Sequence, residues 1–246
     1  MLSKNQRKQI LQLSQKKQRL ANGLFVAEGE KVVRELLNSS WVYESLYTTD
    51  STFHSSAELI RIEEMKQLTH FKTPSPVLGV FKIPLKKEIL NESISIVLDG
   101  ISDPGNLGTL IRLCDWFGLS ELICSQTTVD CFNPKAIQAS MGSIVRVHCQ
   151  YVSDLAQTLK DLNKPIYGAT ARGNSLYDAT LPKKASFVFG SESHGISDKL
   201  TAHLDEELAI PHFKLGEHRA ESLNVATAGA IFLSEIFRPR CAIQPS

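Results

Sequence analysis

Apolar positions fall into two regimes along the chain. Over roughly the first 85 residues their spacing predicts a helix over 4–20, a second over 30–37, and short strands at 43–48 and 79–83. Pro84 then precedes Leu-Lys-Lys-Glu-Ile-Leu-Asn-Glu-Ser at 85–93, a polar run that reads as a linker. From Ile94 onward short apolar runs alternate with helical patterns, as expected of βα units and a mostly parallel sheet. Predicted strands are 94–98, 121–124, 144–147, 165–170, 187–189 and 208–210. Asp103 and Pro104 suit a helix cap and first turn, and Gly118 suits that helix's end. A last helix over 222–237 carries Ala226, Ala228, Gly229 and Ala230, small residues that predict a central helix packed on both sides. The expected fold class is α/β: a small α+β domain at 1–85, a linker at 86–93, and a parallel-sheet domain at 94–246.

Composition narrows the class only a little. The chain has 246 residues, of which 42% are hydrophobic and 22% charged, enough for one large core or two small ones. No stretch approaches the roughly 18 apolar residues of a membrane span, and the first residues lack a secretory signal pattern, so a cytoplasmic protein is expected. Five cysteines without a C-x-x-C pair suggest buried thiols rather than a disulfide framework or zinc site. Net charge is +1, yet the first twenty residues hold Lys4, Arg7, Lys8, Lys16, Lys17 and Arg19 without one acid. This local basic patch fits either RNA contact or a solvated helix face.

Candidate chemistry lies in three loops that each follow an apolar strand. They are 98–108 (Leu-Asp-Gly-Ile-Ser-Asp-Pro-Gly-Asn-Leu-Gly), 189–196 (Phe-Gly-Ser-Glu-Ser-His-Gly-Ile), and Ile210-Pro211 followed by Glu-Ser-Leu-Asn-Val at 221–225. Glycines and small polar residues let the backbone approach a ligand closely. Singly each loop reads as a tight turn. Together, at the carboxyl ends of parallel strands, they read as a cleft whose ligand is recognised by backbone groups. Neither a phosphate-binding G-x-x-x-x-G-K-[ST] nor a G-x-G-x-x-G is present, which disfavours ATP and dinucleotides. The seven histidines show no metal-ligand spacing, so no metal is expected. A hydrolase would use Ser191 or Ser193 with His194 or His212, but the loop does not spell the G-x-S-x-G of a nucleophile elbow.

Taken in order, Asp99 to Arg112, Gly190 to Ile196 and Ile210 to Val225 resemble the three signature motifs of SpoU (TrmH-like) RNA ribose methyltransferases of the SPOUT superfamily. Phe25-Val-Ala-Glu-Gly-Glu-Lys is similar to the RNA substrate-binding domain ahead of many members. The resemblance implies a deep trefoil knot, a homodimer, and S-adenosyl-L-methionine held by Thr170, Ala171, Gly190, Ile210 and Leu223. It implies methyl transfer to a ribose 2′-hydroxyl, with Arg112, Asn106, Glu192, Ser222 and Asn224 as the catalytic set.

Within that set Arg112 is expected to grip a phosphate and stabilise the developing alkoxide, because a guanidinium with a pKa above about 12 is a poor base. The competing reading of Arg112 is a surface pair with Asp115. Asn106 and Asn224 suit orienting ribose, phosphate or loop backbone, Ser222 suits a bond near the hydroxyl, and Glu192 suits organising the arginine or its loop. The connection 212–221, with Lys214, His218 and Arg219, is longer than usual for the family. The dedicated N-terminal domain resembles the layout of the family's ribosomal-RNA members more than that of its minimal transfer-RNA members, which implies ribosomal RNA, and the alternative is a non-catalytic RNA-binding assembly factor of the same fold.

Overall fold

A computed structural model describes residues 2–85, 88–213 and 222–241, with side chains of the last helix described through Pro239. Lys214, His218 and Arg219 lie outside the described residues. In chain order the elements begin with α1 (Lys4–Gln12), α2 (Lys16–Asn22), β1 (Leu24–Glu28), α3 (Glu30–Leu37), β2 (Tyr43–Thr48), β3 (Glu58–Leu59), α4 (Ile62–Lys66) and β4 (Val77–Lys82). They continue with β5 (Ile94–Asp99), α5 (Pro104–Trp116), β6 (Glu121–Ser125), α6 (Pro134–Ser140), β7 (His148–Val152) and α7 (Leu155–Leu162). Last come β8 (Ile166–Ser175), β9 (Ala185–Gly190), α8 (Asp198–Thr201), β10 (Glu206–Ala209) and α9 (Val225–Cys241).

The second sheet has the order β10-β8-β9-β5-β6-β7, and every pairing in it is parallel. Its strands read as continuous apolar runs because both faces are covered. Alternate residues divide between the faces: Ile96, Leu98, Leu122, Phe187 and Phe189 enter a core with α5 and α9. Val97, Ile123 and Val188 face the opposite layer, built from Leu155, Leu159 and Leu162 of α7 and Leu200 of α8. The first sheet, β1-β4-β2-β3, is mostly antiparallel. One face buries Val26, Leu78 and Val80 under α1 and α4. The other puts Phe25 and Phe81 into the same core as the parallel sheet, where Phe25 lies 5.0 Å from Phe132 between ring centroids.

Several expectations are corrected. The helix expected over 4–20 is two helices, broken at 13–15, where the Arg19 guanidinium reaches back 2.8 Å to the carbonyls of both Leu13 and Ser14. The strand expected at 144–147 is a 3-10 turn at Ser143–Val145, following left-handed Met141 and Gly142. Ile144 and Val147 still enter the core, at a turn's spacing rather than a strand's, and pairing begins only at His148. Helices α4, α6 and α8 carry patterns too short to separate from loop by periodicity, and strand β1 and helix α7 are further elements absent from the expected set. Helix α9 is packed along one face within the chain: Val225, Ala226, Phe232, Leu233 and Ile236 are buried, while Thr227 and Ser234 are exposed.

Candidate active site

Three strand ends and one helix enclose a cavity of about 520 Å³, within the usual range for small-ligand sites. Ala169, Thr170 and Ala171 come from β8, Phe189 and Gly190 from the end of β9, and Ile210 from the residue after β10. Leu223, Val225, Ala228 and Phe232 close it from α9 and the turn before it. This is the carboxyl rim of the sheet, where open α/β folds bind ligands. All five residues expected to hold a cofactor line this one cavity, as do Ser222 and Glu192.

Glycine is required at position 190 in the cavity wall. A Cβ on Gly190 would lie 2.0 Å from the Gly195 carbonyl carbon and 2.2 Å from the Ile196 nitrogen, because Ser191 and Gly195 pair across a tight turn. Their two backbone hydrogen bonds, 3.0 and 2.9 Å, hold that turn against the strand end. Gly195 itself has φ +69°, the left-handed region that favours glycine.

The polar half of the site is a hydrogen-bonded chain across all three loops. The Asp103 carboxylate caps α5 by accepting from the Asn106 N–H at 2.8 Å, which fixes the first turn of that helix. The Asn106 side-chain amide then donates to Glu192 Oε1 and accepts from Asn224 Nδ2 at 2.9 Å. Asn224 in turn starts α9, its Oδ1 accepting from the N–H groups of Ala226 at 3.0 Å and Thr227 at 3.2 Å. Residues far apart in sequence are thereby held in one arrangement, with the two amides oriented unambiguously by their partners.

Arg112 is not part of this arrangement within the chain. It stands six residues after Asn106 on α5, about 9 Å along the axis and about 120° around it, and does not line the cavity. Its side chain is exposed and makes no hydrogen bond or ion pair with the described residues. The alternative pair with Asp115 is not formed: Arg146 holds that carboxylate with three bonds of 2.9–3.0 Å and reaches Glu35 at 2.7 Å. Burial alone would raise the Asp115 pKa, but the Arg146 bonds prevail and lower it. One turn after Arg112, Trp116 is 84% exposed on the same helix face.

The serine–histidine contact that a hydrolase would need is present only in a weak form. Ser193 Oγ lies 2.7 Å from His194 Nδ1, but both residues are exposed and neither lines the cavity. Among the described residues no carboxylate orients His194, and the Ser191 hydroxyl accepts from the His194 backbone N–H. The apolar wall residues outside the candidate loops and the expected cofactor set include Ala169, Ala228 and Phe232. Their apolar character is ordinary for core positions, so only the cavity marks them.

Fold and site together define a parallel α/β protein with a ligand cleft formed by backbone turns at its strand ends. A model of the SpoU rRNA Methylase family matches residues 93–234, and one of the MRM3-like substrate binding domain matches residues 4–79. The chain belongs to the SpoU rRNA Methylase family. It is 29% identical over 243 residues to the 23S rRNA (guanosine(2553)-2′-O)-methyltransferase RlmP of Bacillus subtilis, covering 94% of this chain and 96% of that one. Among solved structures it is similar to one assigned to the TrmH family of RNA methyltransferases from Porphyromonas gingivalis. That likeness has a TM-score of 0.83 at 38% identity, covering 97% of this chain and 99% of the other. An AdoMet-bound rRNA methyltransferase from Sinorhizobium meliloti superposes with a TM-score of 0.83 at 25% identity, covering 97% and 96%.

Proposed function

We propose that this chain transfers a methyl group from S-adenosyl-L-methionine to a ribose 2′-hydroxyl of RNA, ribosomal RNA rather than transfer RNA. The observation that carries the reading is the cavity itself, in which three loops converge on a site with apolar walls and one unused polar group. Thr170 Oγ1 is buried at that site without a hydrogen-bond partner among the described residues, a cost that a ligand's polar atom would remove. Thr170, Ala171, Gly190, Ile210 and Leu223 would hold the cofactor, with backbone groups at its polar edge and carbon around the rest. When bound, S-adenosyl-L-methionine supplies a methyl carbon activated by a sulfonium.

The chain's own task is to present a weak nucleophile in line and to stabilise its developing negative charge. Asn106, Asn224 and Glu192, already oriented by one another, offer donors and acceptors for ribose and phosphate at the cavity's edge. Ser222, at the same edge, can bond near the hydroxyl. Arg112 supplies the fork for phosphate and alkoxide charge. It does not line its own cavity, and so this reading includes a homodimer packed on the face that carries Arg112 and the exposed Trp116. The deep trefoil knot, a cytoplasmic setting and the division into an RNA-binding domain (1–85), linker (86–93) and catalytic domain (94–246) belong to the same proposal.

Ribose-methylation mapping of total RNA from cells with and without the gene tests the activity, and one ribosomal 2′-O-methyl group should disappear with it. Titration calorimetry with S-adenosyl-L-methionine separates the enzyme from an RNA-binding assembly factor. Absence of binding heat, with no competition by S-adenosylhomocysteine, rejects the enzyme.

A further inference from the structure

A second cavity of about 250 Å³ lies on the seam between the two sheets, apart from the site above. Trp41, Ile83 and Leu85 line it from the first sheet's side, Phe132 and Tyr151 from the second, and Leu20 from α2. It is smaller than the roughly 300–1,000 Å³ that encloses a whole cofactor, a size suited to one planar ring system. Its inner polar groups are already occupied. Tyr151 Oη donates to the Val129 carbonyl at 2.5 Å and accepts from the Cys131 N–H at 2.8 Å, and Asp130 binds Arg19 at 2.6 Å. The slot therefore offers mainly ring faces and carbon, with Gln126, His148 and Gln150 as further polar side chains on its lining.

Its rim is cationic and fixed in place. Arg19, only 1% exposed, ties α2 to the loop after β6 through Asp130, which sets Lys16 and Leu20 over the opening. Lys16 Nζ lies 5.9 Å from the Tyr151 ring centroid. Lys17 is exposed beside it on α2, a helix that contains no acid. Aromatic faces beside a lysine at the opening are an arrangement that takes single-stranded nucleic acid, a base stacking while the cation meets the phosphate.

Position completes the argument. Gln126 at this slot follows the last residue of β6, on the same carboxyl rim of the sheet as Thr170 and Gly190. In the sheet order β7 and β9 are three strand spacings apart, about 15 Å at about 4.8 Å each. A few nucleotides of extended strand span that distance. We infer that the seam slot is a nucleobase subsite, which stacks one unpaired base of the RNA substrate near the methylated nucleotide. This inference rests on the RNA substrate proposed above.

The test uses the full chain and a short oligouridylate carrying 5-iodouridine, irradiated and mapped by mass spectrometry. Crosslinks are expected on peptides bearing Trp41, Phe132 or Tyr151, and Leu20→Glu, a change at an exposed position, is expected to weaken oligouridylate binding about tenfold. An abasic oligomer of equal length and charge should compete poorly. Crosslinks confined to other peptides, or equal competition by the abasic oligomer, overturn the subsite. So does a loss of self-association on Leu20→Glu, seen by sedimentation, which would make this face a contact between copies. Methylation of ribosomal RNA by the wild type, assayed in parallel, keeps the two readings apart. Methyl transfer without slot crosslinks removes the subsite alone, and slot crosslinks without methyl transfer remove the proposed activity alone.

Discussion

In the proposed mechanism Arg112 and Gly190 would act through opposite properties, one through a charge outside its own cavity and the other through the lack of a side chain. Arg112→Lys retains the charge but loses the planar two-pronged donor. Turnover on ribosomal RNA is expected to fall about 100-fold or more, with S-adenosyl-L-methionine affinity unchanged by calorimetry, and near-normal turnover would reject the fork. Gly190→Ala forces a methyl group into the Gly195–Ile196 backbone, a contact that no rotamer relieves. Cofactor binding should be lost in the same titration while the far-ultraviolet circular dichroism keeps its shape. Both residues stand out in sequence as parts of strand-following motifs. What the motifs could not tell was that Asn106 bonds to both Asn224 and Glu192, because residues 118 and 86 positions apart meet only when the sheet is assembled.

At the scale of elements, the site depends on how closely α5 approaches its neighbours. Gly108 on α5 faces α6 so tightly that a Cβ would sit 2.5 Å from the Ala136 carbonyl oxygen and 2.9 Å from the Ser140 nitrogen. Gly108→Ala is expected to cost about 1–3 kcal/mol, read as a lower urea midpoint with an unchanged slope. Since α5 also carries Asn106, reduced turnover should accompany the loss. The long apolar strands β5, β6 and β9 and the capped start of α5 were legible in the pattern, since a strand buried on both faces and an Asp-Pro helix start are local signals. The break between α1 and α2 was not legible, because its carbonyls are satisfied by Arg19, and the turn at Ser143–Val145 was misread because four apolar-rich residues fit either shape.

Across the whole molecule the two sheets share one core, and the Arg19–Asp130 pair links α2 to the loop after β6 at their junction. Removing one partner of the buried Arg19–Asp130 pair strands a charge, so Asp130→Ala should lower stability by about 3–5 kcal/mol in urea unfolding. The double variant Arg19→Met/Asp130→Leu should recover much of it. Lys164, buried beneath the parallel sheet, donates to the Glu92 carbonyl at 2.8 Å and Ser95 Oγ at 2.6 Å. Burial, helped by the nearby Lys184 charge, pushes its pKa down to about 8. Between there and the unfolded value of about 10.4 the unfolded chain binds more protons, so this group's contribution to stability rises with pH. Unfolding at about pH 7.5 and about pH 9.5 should show the wild type gaining on Lys164→Met, and an equal difference at both would refute the shift. The sequence by itself determined the α/β class, the strand-end loops and the family, because apolar runs and glycine-rich turns are local and periodic. Only the tertiary structure decided that three loops close on one cavity, that Arg112 lies outside its lining, and that Arg19 is a buried strut rather than part of a basic surface. Each of those depends on contacts between segments distant in the chain, which no local pattern encodes.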